Sequence, residues 1–339
     1  LEVVPPSARA EAITRRTYNR PLNPDDPNTR FETWPQTIER AQVDHQRRLW
    51  ADAGGTPEES ELSELRDLGL SRAGLVSGRT LWLGGTEYAY GRAASQFNCS
   101  ALRIETVYDV VDAFWLLLNG CGVGGKPKAG TLHGYGCRIP EAKVVPSDRG
   151  PDFKGPPANG EERPSAGNDW TWTIRVGDSA KAWALALGKM LASPRGRIDR
   201  LVLDFSNVRG RGGRLRGYGW ICNGFEPLRD ALLAVHEILN RNANNLLEEQ
   251  DIGDVFNWCG TVLSSRRAAE CLVLDAHHPG AAEFARRKRD HYLCRDCGHW
   301  DTKGGRCVRC GGSAREGQRR QSNNSLLFWR RPSVADLGD

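Results

Sequence analysis

Several things are missing from this sequence. It has no run of about 18 apolar residues, which excludes a membrane-spanning helix. No charged-then-apolar leader opens it, so secretion is not expected and a cytoplasmic protein is. No internal repeat is present, which excludes solenoids and propellers. Neither sign of charge dominates: 47 Lys and Arg face 42 Asp and Glu, for a net charge of +5. That balance is too mild to demand nucleic acid, although it suits a polyphosphate ligand. The first residue is Leu1 and not Met, so a trimmed or incomplete start is expected.

What is present bounds the fold. The 339 residues are 39% hydrophobic and 26% charged, enough apolar material for a core, and the length fits two domains or one large one. The 38 glycines predict many loops and close backbone approaches. Ten cysteines in a chain without a leader read as reduced thiols, metal ligands or redox catalysts, not as structural disulfides.

Residues 1–30 are polar and proline-punctuated and read as an arm. From Phe31 a helix is expected with Trp34, Ile38, Val43, Leu49 and Trp50 near one face, stopped at Gly54-Gly55, and a second helix over Glu58 to Leu70. The glycine-broken stretch from Leu75 to Glu105 reads as strands and turns. TVYDVVDAFWLLLNG reads as a buried helix ending at Gly120, and residues 146–169, rich in Pro, Gly and charge, as a surface loop or a segment ordered on binding. A helix over SAKAWALALGKMLAS has Asp178 or Ser179 as its N-cap; IDRLVLDFSNV and CLVLDAH read as strands; Glu226 to about Ser264 and AAEFARRKRD read as helical. Alternating helices and strands predict an α/β fold with a partly parallel sheet or barrel.

Residues 294–310 read CRDCGHWDTKGGRCVRC, two C-x-x-C pairs separated by nine residues. Each pair turns two thiolates toward one ion, so Cys294, Cys297, Cys307 and Cys310 read as a closed, structural Zn2+ site, a small zinc-stapled insertion. A redox dithiol is the alternative chemistry. A zinc ribbon that binds nucleic acid is the alternative function, resting on this cluster and on nearby Arg315, Arg319 and Arg320.

The remaining motifs carry a resemblance. RTYNRPL, RFETWPQTIERAQVDHQRRLW, SGRTLWLGGTEYA, SQFNCS, LLLNGCGVGG, GTLHGYG, TWTIRVGDSAKAW, LVLDFSNVR, RLRGYGW, GFEPL, NWCGTVLSSRRAAE and SNNSLLF together resemble class II ribonucleotide reductases. More narrowly, they are similar to the adenosylcobalamin-dependent, monomeric ribonucleoside-triphosphate reductases, bacteriophage forms included. The resemblance covers roughly residues 14–290 and 319–328. It implies a helical N-terminal region (1–70), the first part of a ten-stranded α/β barrel with effector-binding elements (71–290) and the next barrel strand (319–339); the zinc-ribbon insertion read from the cysteine spacing (291–318) interrupts the resemblance. It also implies a reaction that replaces the ribose 2′-hydroxyl by hydrogen. A cobalamin-initiated thiyl radical starts it, a cysteine pair supplies two electrons, and a thioredoxin-like dithiol restores the pair.

Carried over residue by residue, Cys99 falls on the first member of that redox pair, with Asn98 beside it and Ser100 near the substrate. Without the family, Cys99 reads as a buried core residue. The resemblance sets Gly122, in GCGVGG, on a barrel strand near the active site, and the family often has an aromatic where Gly125 stands. It sets Asp178 and Ser179 at a deoxynucleoside triphosphate effector site, where simple N-capping is the alternative. Arg209, Arg211 and Arg214 lie in a mobile loop between effector and substrate, and Gly224 where that loop meets the next helix. Cys121, Cys137, Cys222, Cys259 and Cys271 read as core or incidental thiols. The radical cysteine, its catalytic glutamate, the second redox cysteine and most cobalamin contacts have no counterpart here. The expectation is the N-terminal part of a reductase, inactive alone and completed by a C-terminal half. A catalytically dead half that only binds effector is the further alternative.

Overall fold

The computed structural model describes residues 6–23, 26, 28–164, 170–193, 196–213, 215, 219, 221–263, 270–289, 292–294, 306–307 and 310–333. The chain divides into two compact units, Leu1–Asn98 with Arg214–Trp220, and Cys99–Gly213 with Ile221–Asp339. No described helix is long and apolar enough to cross a membrane.

The first unit is helical. α1 (Ala8–Ile13) starts at Ser7, whose Oγ accepts the Ala10 N–H, and runs into a π-helical turn at Thr14–Tyr18. α2 (Trp34–Ile38) opens where Gln36 Oε1 accepts the Thr33 N–H at 2.8 Å, and α3 (His45–Asp52) continues it through a second π-helical turn, Glu39–Asp44. The helix expected from Phe31 is therefore there, but its face is not the one expected. A π turn takes up extra residues and rotates everything after it. Ile38, Ala41 and Val43 are buried, whereas Leu49 and Trp50 are 46% and 50% exposed. α4 (Glu59–Ser71) ends at Arg72 in the left-handed region.

The stretch expected to be strands and turns is helical up to Gln96: α5 (Gly78–Leu83), α6 (Glu87–Tyr90) and a 3-10 turn at Ala93–Gln96. Ser77 and Thr86 cap the two helices, accepting from the Thr80 and Ala89 N–H groups. The glycines that read as strand breaks are instead a close approach. Gly85 has φ +74°, and a Cβ there would lie 2.3 Å from the Arg40 carbonyl oxygen.

The second unit is α/β. β1 (Cys99–Ile104), β2 (Gly122–Pro127), β7 (Glu270–Asp275) and β10 (Ser322–Leu327) form a wholly parallel sheet in the order β1-β2-β7-β10. β3 (Glu141–Val145), β4 (Gly160–Glu162), β5 (Thr171–Arg175) and β6 (Arg200–Asp204) form a second sheet, β3-β6-β5-β4, with only β4 antiparallel. α7 (Val107–Leu118) packs on β1 and β2, α10 (Glu249–Thr261) on β2 and β7, and α11 (Ala281–Arg286) on β7 and β10. α8 (Ala180–Leu191) and α9 (Glu226–Arg241) complete one continuous core in which Phe114, Trp172, Leu203, Leu232 and Phe256 are fully buried. The long helical stretch expected from Glu226 is two helices, broken where Asn244 adopts φ +64°.

Candidate functional site

Among the described residues of the second unit, helices cover the first sheet on one side, while on the other only Trp329 reaches over its end, stacking on Lys126 and bonding Asp275. Along each strand the even-numbered positions or their equivalents turn to the helices: Ile104, Val123, Leu272 and Leu274 are buried. The alternate positions turn away from them. Cys99, Ala101 and Arg103 of β1 and Asn323 and Ser325 of β10 are exposed. Parallel strands are normally buried on both faces, and this face is open among the described residues.

Strand register orders that face. Cys99 lies beside Gly122. One step further, Ala101, Gly124, Cys271 and Asn323 form a row across all four strands. Gly122 and Gly124 carry no side chain, so the floor beside Cys99 is a trough. The opposite reading, a Cys99 buried in the core, does not hold: its thiol is exposed. Cys271, read as incidental, belongs to the same face, with Sγ 3.7 Å from Ser325 Oγ. Its place was legible in the alternation of CLVLD but only register across β2 brings it level with Ala101.

The neighbours of Cys99 behave differently. Ser100 turns to the other side of β1 and donates its hydroxyl to the Gly122 carbonyl oxygen at 3.3 Å. Asn98 is exposed, precedes the strand in the first unit, and accepts from Arg79 Nε at 3.4 Å. Gly125 turns toward the helices. A Cβ there would lie 2.7 Å from Ile104 Cδ1 and 3.5 Å from the Phe256 ring, so those two side chains fill the space an aromatic would need.

The second group of predicted residues gathers at the start of α8. Ser179 is the cap: its Oγ accepts the Ala182 N–H at 3.0 Å and donates to the Pro157 carbonyl at 2.6 Å. Asp178 is free of that task. Its carboxylate receives Arg209 Nε at 2.9 and 3.1 Å and the Gly155 N–H at 3.3 Å, and its side chain is 5% exposed. Of residues 146–169, expected as a surface loop or a segment ordered on binding, Gly160–Glu162 is strand β4, 165–169 lie outside the described residues, and 147–159, mostly exposed, pack along one side against 206–213. Ser147 Oγ donates to the Val208 carbonyl, Arg149 Nε to that of Ser206, and the Gly210 N–H to that of Gly150. Three glycines make this possible: a Cβ at Gly155, Gly210 or Gly213 would sit 1.9, 2.2 or 2.1 Å from a backbone oxygen of the facing segment. Arg211 is exposed, and Gly224, at φ +79°, brings its backbone against Arg211 and the Glu226 carboxylate. Arg214 lies outside the described residues.

The third group is the cysteine hairpin. β8 (Tyr292–Cys294) and β9 (Ala314–Glu316) pair antiparallel. The sulfurs of Cys294, Cys307 and Cys310 lie within 4.8 Å of one another, Cys294 and Cys310 being 3.4 Å apart. Gly311, at φ +75°, turns its N–H back to the Cys307 carbonyl, which leaves the intervening sulfurs converging. Cys297 lies outside the described residues.

One polar cluster escaped the sequence reading. In α10, Asp254 is fully buried and holds both Arg287 and Arg319, while Asn257 donates to Glu270 at 3.2 Å and to Ser322 Oγ at 2.8 Å. Burial pushes the Glu270 carboxyl up to about 8 and the Arg287 guanidinium down to about 10. No local pattern marks these residues; they meet only when α10, β7 and β10 are assembled.

Comparison with known proteins shows what the chain is similar to. A solved B12-dependent (class II) ribonucleotide reductase superposes with a TM-score of 0.64 at 21% identity, over 93% of this chain and 45% of that one, which establishes the fold. The chain is homologous to adenosylcobalamin-dependent ribonucleoside-triphosphate reductases. It is 30% identical over 254 residues to a putative one of Mycobacterium phage D29, covering 71% of this chain and 34% of that protein. It is 27% identical over 301 residues to that of Lacticaseibacillus paracasei, covering 76% and 39%. The chain thus spans well under half the length of these relatives. No family model matches it.

Proposed function

We propose that this chain contributes the redox-thiol face and the effector-binding elements of a class II ribonucleotide reductase. The single observation that supports this most is the exposed Cys99 at the start of a parallel strand, beside a glycine floor, on the sheet face away from the helices. In this reading that face is part of the inner wall of a ten-stranded barrel. A ribonucleoside triphosphate lies along it with its 2′ carbon toward Cys99. The 2′-hydroxyl leaves as water, hydrogen replaces it, and two thiols supply the two electrons and close a disulfide. Cys99 is one of them, and its partner lies in a part of the relatives that this chain does not match. A thioredoxin-like dithiol reopens the disulfide by exchange and is itself oxidised.

Adenosylcobalamin, when bound, supplies the radical that starts the reaction. The close-approach glycines at 155, 210 and 213 offer it no cradle, because neighbouring backbone already occupies those spaces. The reading therefore assigns the cofactor, the radical cysteine and its glutamate to the unmatched part, and no step here passes through it. Asp178, Ser179, Arg209, Arg211 and Arg214 are the proposed contacts for a deoxynucleoside triphosphate effector, since a triphosphate is drawn to arginines and to a helix start. Cys294, Cys307 and Cys310, with Cys297 added from the C-x-x-C spacing, fit a structural Zn2+. The chain works in the cytoplasm of a bacterium or a phage-infected host.

The test supplies the rest of the barrel from a relative as a separate polypeptide, with adenosylcobalamin, a ribonucleoside triphosphate and a dithiol. Deoxynucleotide is expected with the native chain and none with Cys99→Ser. Equal product from the variant, or turnover by the 339 residues alone, overturns the reading.

A further inference from the structure

The cysteine hairpin is an excursion from the sheet. The chain leaves it after α11 and returns as β10, and both stems of the excursion close on one carboxylate. Asp254 Oδ1 accepts from Arg287 Nη2 at 2.8 Å on the outgoing stem and from Arg319 Nε at 2.7 Å on the returning stem. Its Oδ2 accepts from Arg319 Nη2 at 2.6 Å, and Arg319 Nη1 donates to the Arg287 carbonyl at 3.1 Å. Asp254 and Arg287 are wholly buried. One turn further along α10, Asn257 holds Ser322, the first residue of β10, and Lys288 on the outgoing stem donates to the Ser322 carbonyl oxygen.

Beyond this clasp, 31 residues from Lys288 to Gln318 form a loop. Its closure rests on the Asp254 ion pairs, on the short β8–β9 pairing, and on whatever joins Cys294 on one arm to Cys307 and Cys310 on the other. Joining the arms by an ion shortens the loop and removes much of the entropy that opposes the clasp. Releasing the ion restores that entropy at the point where β10 begins. Among the described residues β10 is the last strand of its sheet, and it carries Asn323 and Ser325 onto the face that bears Cys99.

We infer that Asp254 is a clasp through which the metal state of the Cys294–Cys307–Cys310 hairpin controls the pairing of β10 with β7. The inference rests on the Zn2+ reading of the hairpin and goes beyond it, because a structural ion in an isolated insertion would leave the sheet unchanged.

The test uses the full chain. Zinc is quantified by elemental mass spectrometry, and amide hydrogen exchange is followed in peptides spanning 318–327 and, as control, 99–104 and 122–127, before and after the metal is stripped by a chelator. Exchange over 318–327 is expected to rise about tenfold on stripping, with the controls unchanged. Asp254→Asn, with zinc still bound, is expected to show the same rise; where that variant fails to fold, Arg319→Lys replaces it, keeping the charge but losing the two-point contact. Zinc bound and then removed with 318–327 unmoved overturns the clasp and leaves the zinc reading standing. A chain that takes up no zinc overturns both.

Discussion

Arg209 and Asp178 face each other with Nε 2.9 Å from Oδ2, the arginine side chain 19% exposed and the aspartate 5%. They tie the glycine-rich loop to the residue before the α8 cap. The carboxylate so held also accepts the Gly155 N–H, so three separate segments meet on one side chain.

Asp178→Ala should therefore act twice. It strands a mostly buried guanidinium, costing about 2–4 kcal/mol of stability in urea unfolding. It should also abolish the heat of deoxynucleoside triphosphate binding. Calorimetry on native and variant chains at a temperature where both are folded checks this; identical binding heats remove Asp178 from the effector site.

Glycine at 155 is required by packing and not by backbone angle. A Cβ there would stand 1.9 Å from the Asn207 carbonyl oxygen and 2.8 Å from Asp178 Cβ, and neither neighbour is the end of a flexible chain. Gly155→Ala is expected to lower stability by about 2 kcal/mol or more and to expose residues 147–159 to protease. Gly150→Ala, with nothing within 4 Å, is the neutral control.

Glu270 gives a pH dependence with a definite sign. Burial holds its carboxyl at about 8, far above an unfolded glutamate, so the native state binds the proton more tightly. Its contribution is whole below about pH 4.5, falls as pH rises, and is lost once pH passes about 8, at roughly 1.4 kcal/mol per pKa unit. Glu270→Gln mimics the protonated form and should be more stable than the native chain at pH 8.5 but nearly equal at pH 5. Urea midpoints at the two pH values decide it; a difference that does not grow with pH rules the assignment out.

Thiol reactivity should separate the cysteines by place. Cys99 is exposed, whereas burial pushes the Cys222 and Cys259 thiols up, and Cys121 is buried as well. Iodoacetamide at pH 8 with peptide mass spectrometry is expected to modify Cys99 at least tenfold faster than Cys121, Cys222 or Cys259. Equal rates would mean that the face bearing Cys99 is covered.

Local signals in the sequence settled most of the elements of the second unit. VYDVVDAFWLLL, AKAWALALGKML, RLVLD and CLVLD have periods that only one kind of element satisfies. Caps were legible where a short polar side chain precedes such a run, as at Ser179. The stretch from Leu75 to Gln96 reads as strands because glycine near β-branched and aromatic residues is their local mark, yet it folds as helices. Gly85 is instead glycine because the Arg40 backbone passes against it, a contact of 45 residues in sequence that no window contains.

The sequence by itself determined the four-cysteine spacing, the helix and strand periods, and the family resemblance that singled out Cys99 and Asp178, because each is written in neighbouring residues. Tertiary structure alone decided that Cys99 and Cys271 share a face, that Arg209 closes on Asp178, and that Asp254 receives both stems of the hairpin. Strand register and the meeting of distant segments set those relations, and they depend on which surfaces are left to pack once the local elements have formed.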